Sequence, residues 1–126
     1  MPDENKAASP NLTLERTPEY KESYANNVRF ESSVWDLKII FGLLDQSTQP
    51  HTVRQFASVN VPWEQAKLMA FFLELNLLFH EHEHGKIKVP SAVMPPSLES
   101  FLPKLAEQPG GKELLAKAEE LRAKLR

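Results

Sequence analysis

The chain contains no cysteine. That excludes disulfides, thiolate nucleophiles, iron–sulfur clusters and Cys-based zinc sites. Glycine is scarce, with four residues at positions 42, 85, 110 and 111. No phosphate-cradling loop, dinucleotide fingerprint or G-x-S-x-G elbow can be assembled from that set. An excess of positive charge is lacking as well. There are 15 Lys plus Arg against 17 Asp plus Glu, for a formal net charge of -2. A chain whose main task is gripping phosphate backbones carries a clear basic excess or stripe. The longest apolar run, Leu68 to Phe79, is interrupted by Glu74 and Asn76. It falls short of the roughly 20 apolar residues that a spanning helix needs, so no membrane partner is expected. The opening Met-Pro-Asp-Glu-Asn-Lys has no apolar stretch behind a basic start. It does not read as a secretory signal, and the expected location is the cytoplasm.

What is present is a chain of 126 residues, 41% hydrophobic and 25% charged. That is the balance of a soluble globular domain. Residues 1–22 are polar, hold Pro2, Pro10 and Pro18, and show no periodicity. They read as a disordered N-terminal tail. Residues 23–89 read as an α+β core domain. Residues 90–111 read as a proline-rich connector with a short helix capped by Ser97, carrying Leu98, Phe101, Leu102 and Leu105. Residues 112–126 read as a docking C-terminal helix, with Leu114, Ala118, Leu121 and Leu125 along one seam.

The core begins with strand patterns. Val28 and Phe30 alternate with Asn27 and Arg29, as on a half-buried strand. Ser32-Ser33 suits a turn. In the next run, Trp35, Leu37, Ile39 and Phe41 share one face, with Asp36 and Lys38 on the other beside Val34 and Ile40. Asp45 to His51 is a polar loop containing Pro50. In Thr52 to Val61, alternation places Val53, Ala57, Val59 and Val61 together and Phe56 opposite. The expected fold is a three-stranded antiparallel meander followed by a long packing helix and a short helical C-terminal tail. Asp36 is expected to face solvent or to blunt a sheet edge.

The long helix is expected from Pro62, a favoured first helical residue, to His84. Gly85 supplies a left-handed cap. After it, Lys86 to Val89 alternates like a short strand or an extended arm. Ala66, Met69, Ala70, Leu73 and Leu77 make one helix face. Leu68, Phe71, Phe72, Leu75, Leu78 and Phe79 cover most of the rest, leaving a narrow polar strip at Lys67, Glu74 and Glu81. A helix apolar nearly all round is buried nearly all round. Three strands and a tail supply too little cover, and each Phe or Leu left in water forgoes about 1.5–3 kcal/mol. The six residues Leu68, Phe71, Phe72, Leu75, Leu78 and Phe79 are therefore expected to form an interface. The expected partner is a second copy of the chain, with a protein or peptide partner also open. The second sheet face could share in that contact.

Two constellations invite chemistry. His80-Glu81-His82-Glu83-His84 matches H-E-x-x-H, in which two His one turn apart hold zinc and the Glu polarises water. The motif sits in the last turn of its helix and has no third ligand at a telling spacing. The expectation is no metal and no cofactor, with His80 and His84 as the weak candidates and a zinc hydrolase using Glu81 as an alternative reading. Arg29, Lys38, Arg54 and Lys67 could make a basic face with Phe30 and Trp35 stacking bases. The composition favours a core role for those aromatics, so no nucleic-acid partner is expected.

Tyr24-Ala25-Asn26-Asn27-Val28-Arg29-Phe30, Phe41-Gly42 and Pro62-Trp63-Glu64-Gln65-Ala66-Lys67 together resemble a small prokaryotic family of unknown function. That family shows a Tyr-Ala-Asn-x-Val-Arg strand, a hairpin ending in Phe-Gly and a Pro-x-x-Ala-Lys helix. The resemblance extends through Asn76 to Ile87, although His80 and His84 stand where the family tends to have aromatics. It implies the fold and is silent on activity. A looser fold-level analogy is to the SecB export chaperone, which pairs an antiparallel sheet with a long helix and offers apolar grooves to unfolded chains. The function read from the sequence is a non-catalytic homo-oligomeric interaction module, with a SecB-like peptide-binding chaperone as the alternative.

Overall fold

The computed structural model describes residues 11–126. The first ten residues of the expected N-terminal tail lie outside them. Residues 11–22 are exposed throughout, with one turn in which the Tyr20 N–H donates to the Thr17 carbonyl at 3.0 Å. The Arg16 guanidinium lies over the Tyr20 ring, 4.5 Å from its centroid.

Three strands follow: β1 Asn27–Ser32, β2 Asp36–Asp45 and β3 Thr52–Pro62. They form one antiparallel sheet in the order β1-β2-β3. A long helix α1, Trp63–His84, comes next. Beyond it lie a 3₁₀ turn at Ser91–Val93, a short helix α2 at Leu98–Phe101, a second 3₁₀ turn at Leu105–Glu107 and helix α3 at Gly111–Ala123. The fold is α+β, as the alternation followed by helical periodicity led one to expect. The described residues divide into two compact units, one ending at Lys67 and the other Leu68–Arg126, so the division falls inside α1.

In the first unit, the register places Val28, Phe30, Leu37, Ile39, Phe41, Ala57, Val59 and Val61 on one face. Ile39, on the central strand, is its buried centre at 4% exposure. Residue alternation misplaces Val53. Phe41 pairs with Ala57 and Gly42 with Gln55, so Phe56 is an extra residue in a β-bulge. Beyond the bulge the faces exchange, and Val53, paired with Leu44, joins the second face. Gly42 makes the bulge possible: a Cβ there would stand 2.8 Å from Val53 Cγ1 and 3.1 Å from the Arg54 carbonyl oxygen.

The β1–β2 turn also departs from the alternation. Trp35 and Val34 are not strand residues; they form the turn and are 84% and 85% exposed. Ser33 organises it. Its hydroxyl oxygen accepts from the N–H of Trp35 and of Asp36 and donates to Asp36 Oδ1. The other Asp36 oxygen accepts from Asn60 Nδ2 at 3.2 Å, and the Trp63 indole donates to the Ser33 carbonyl at 2.9 Å. Asp36 therefore ties the turn to β3 and blunts no edge, because β2 is the central strand. At the far end, the Asn26 side chain accepts from the Leu44 N–H at 2.7 Å, and its own N–H donates to Gly42. Asn26 thus extends the ladder one step past β1. The loop after β2 contains a cis Gln49–Pro50 bond.

Pro62 is the last residue of β3, and the helix starts one residue later at Trp63. In the second unit, Lys86–Val89 forms no strand. Ser97 sits at the N-cap of α2 but its hydroxyl makes no capping bond; Ser100 donates to the Ser97 carbonyl instead. The seam of α3 is offset from the expected one. Gly111 is buried and Leu115, Ala118, Arg122 and Leu125 are half-buried, whereas Leu114 and Leu121 are 51% and 62% exposed. Two contacts explain the offset. Gly111 lies so close to the Leu105 carbonyl that no side chain fits between them. The Arg122 Nε donates to the Pro95 carbonyl at 2.7 Å, while its guanidinium pairs with Glu119 at 3.1 Å. The last helix thus docks on its own proline-rich connector.

Candidate functional site

α1 is the element with the most unexplained surface. It is 22 residues long and none of them is buried. Of the six expected interface residues, Leu68, Phe71, Leu78 and Phe79 are 51%, 58%, 64% and 43% exposed, and Phe72 and Leu75 are half-buried. On a 3.6-residue repeat, Leu68, Phe72, Leu75 and Phe79 form one stripe, flanked by Phe71 and Leu78. Phe71 and Phe72 meet edge to face, with centroids 5.2 Å apart. The opposite side carries Met69, Leu73 and Leu77, also exposed. Asn76 donates to the Phe72 carbonyl at 2.7 Å, so this amide binds its own helix. The helix formed because its straight-chain residues favour it and Glu64 suits its positive end. None of its apolar side chains is buried.

The end of α1 is firmly made. Gly85 takes a left-handed φ of +90°, and its N–H donates to the Glu81 carbonyl at 2.9 Å. The Glu81 carboxylate in turn accepts from the Ile87 N–H at 2.8 Å. Glu81 therefore works as a buckle for the chain leaving the helix, a role that spacing did not reveal. The His80 and His84 rings lie side by side, with centroids 4.8 Å apart and planes tilted by 45°. His84 Nε2 is 3.9 Å from a Glu83 carboxylate oxygen. Among the described residues, no group of three or more His, Asp or Glu side chains converges as a metal cage. In the zinc-hydrolase reading the proposed base, Glu81, also accepts a backbone N–H, and among the described residues no third ligand groups with His80 and His84.

The sheet does not assemble the basic face considered for nucleic acid. Arg29 and Lys38 lie on the second face, and the bulge sends Arg54 to the other. Lys38 faces Glu31 at 3.9 Å and Arg54 faces Asp45 at 3.9 Å. The second face does hold an open concavity of about 450 Å³ around Ile40 and Phe56, rimmed by Glu31, Lys38, Gln55 and Ser58. Asp45, the last residue of β2, is held below its ordinary 3.8 by hydrogen bonds from the Ser47 hydroxyl and N–H, with help from Arg54 and His51. No described helix is long and apolar enough to cross a membrane.

No curated protein and no solved structure matches the chain. A family model does, over residues 1–89. The matched stretch takes in all three strands and the whole of α1, and leaves α2 and α3 outside. The chain belongs to this family, described as Protein of unknown function (DUF3467).

Proposed function

We propose that the protein is a non-catalytic cytoplasmic subunit that assembles with further copies of itself through α1. The observation that carries this reading is the helix: 22 residues without a buried side chain, with Leu68, Phe71, Leu78 and Phe79 facing solvent. Leaving each such side chain wet costs about 1.5–3 kcal/mol, and apolar patches of this extent mark interaction sites. A second copy offers the same stripe, which a two-fold axis matches to itself. The motifs of the resemblance support a structural role. Asn26 lengthens the ladder, Gly42 admits the bulge, and Trp63 pins the turn.

Light scattering on the full chain tests the reading. The wild type is expected to be a dimer or larger, and the Phe71→Glu and Leu78→Glu variants are expected to be monomers with an unchanged far-ultraviolet spectrum. A wild type that stays monomeric at high concentration overturns it. The SecB-like alternative has one observation of its own. β3 is an edge strand of 11 residues, open to strand addition by an extended peptide. Suppression of client aggregation by the full chain would favour that alternative, and no suppression at excess protein would end it.

A further inference from the structure

We propose that the last turn of α1 is a two-imidazole clip, His80 and His84, for a divalent transition-metal ion such as Zn²⁺. This rests on the geometry of that turn and not on self-association. Imidazole nitrogen suits zinc, copper and nickel, and its bonds to zinc are about 2.0–2.1 Å long. Two imidazoles whose rings already lie together reach one ion with little rearrangement. His80 and His84, one turn apart, have centroids at 4.8 Å and a mutual tilt of 45°.

Ligands at a helix end are weakened when that end frays. Here it is tied twice by one residue: the Glu81 carbonyl takes the Gly85 N–H, and the Glu81 carboxylate takes the Ile87 N–H. The turn is therefore ordered before any ion arrives, which lowers the cost of binding. The electrostatics favour a cation. The negative end of the helix dipole lies at this turn, and a Glu83 carboxylate oxygen is 3.9 Å from His84 Nε2. His82 points to the other side of the helix by its spacing, so it takes no part. Because no third His, Asp or Glu joins the pair among the described residues, the remaining coordination positions belong to water or to an incoming donor. The clip is thus an open binding site, distinct from a hydrolytic zinc centre.

Calorimetric titration of the full chain with Zn²⁺ alone, in a non-coordinating buffer, tests the proposal. One equivalent per chain is expected. His80→Ala and His84→Ala should each weaken binding at least about tenfold, whereas His82→Ala should leave it within about twofold. All three rings are exposed, so the variants keep their fold, which circular dichroism verifies. In parallel, Zn²⁺ should move the ring resonances of His80 and His84 but not those of His51 and His82. Three results would overturn the proposal: no zinc uptake, undiminished uptake in His80→Ala, or equal loss in His82→Ala and His84→Ala. The last would mean adventitious binding by a histidine-rich segment.

Discussion

Gly111 shows how much a single missing side chain can decide. A Cβ at this position would run into the Leu105 carbonyl, a backbone atom that cannot rotate away. Gly111→Ala is expected to lift α3 off the second 3₁₀ turn and to destabilise that region by about 1–3 kcal/mol. Faster amide exchange confined to residues 98–126 would register it. The Gly110-Gly111 pair is visible in the sequence, but the close approach is not, because its partner is a carbonyl six residues upstream. Asp45 is a second case. Its depressed carboxyl favours the folded chain at pH values above 3.8, and that contribution fades as pH falls through the still lower folded value. Ser47→Ala should move the Asp45 midpoint upward in a carboxyl-carbon NMR titration, since the largest causes of the shift are the Ser47 hydrogen bonds.

At the scale of elements, α1 was readable almost to the residue. Its apolar periodicity, its proline start and the glycine after His84 all point to the same helix, and the left-handed Gly85 closes it. Gly85→Ala should cost about 1 kcal/mol, because an alanine pays for that positive φ and glycine does not. Glu81→Gln should speed exchange at the Ile87 amide while leaving the helix spectrum intact, since only the acceptor of that bond is weakened. β3 was readable as a strand but not in its facing. A period of two assumes a regular ladder, and the Phe56 bulge breaks it, so Val53 changes sides. The β1–β2 turn was misread at Trp35 because an aromatic beside a strand looks like core. Here the Ser33 hydroxyl and the Asp36 carboxylate hold the turn, and Trp35 stays outside.

At the scale of the molecule, one hydrophobic side chain among the described residues is buried, Ile39. So few buried apolar groups leave a small interior within one copy. If copies assemble as proposed, stability is tied to concentration by mass action. The melting temperature of the wild type should therefore rise with protein concentration, while that of Leu78→Glu should stay flat. Differential scanning fluorimetry over a hundredfold range of concentration would show the difference.

The elements, their order and the apolar excess of α1 were determined by the sequence alone, because periodicity, proline and glycine act locally. Tertiary structure decided where one segment meets another. It placed Gly111 against Leu105, Arg122 on Pro95 and Asn60 on Asp36. Those pairings depend on register, on a bulge and on backbone approach, and no local pattern of residue types encodes them.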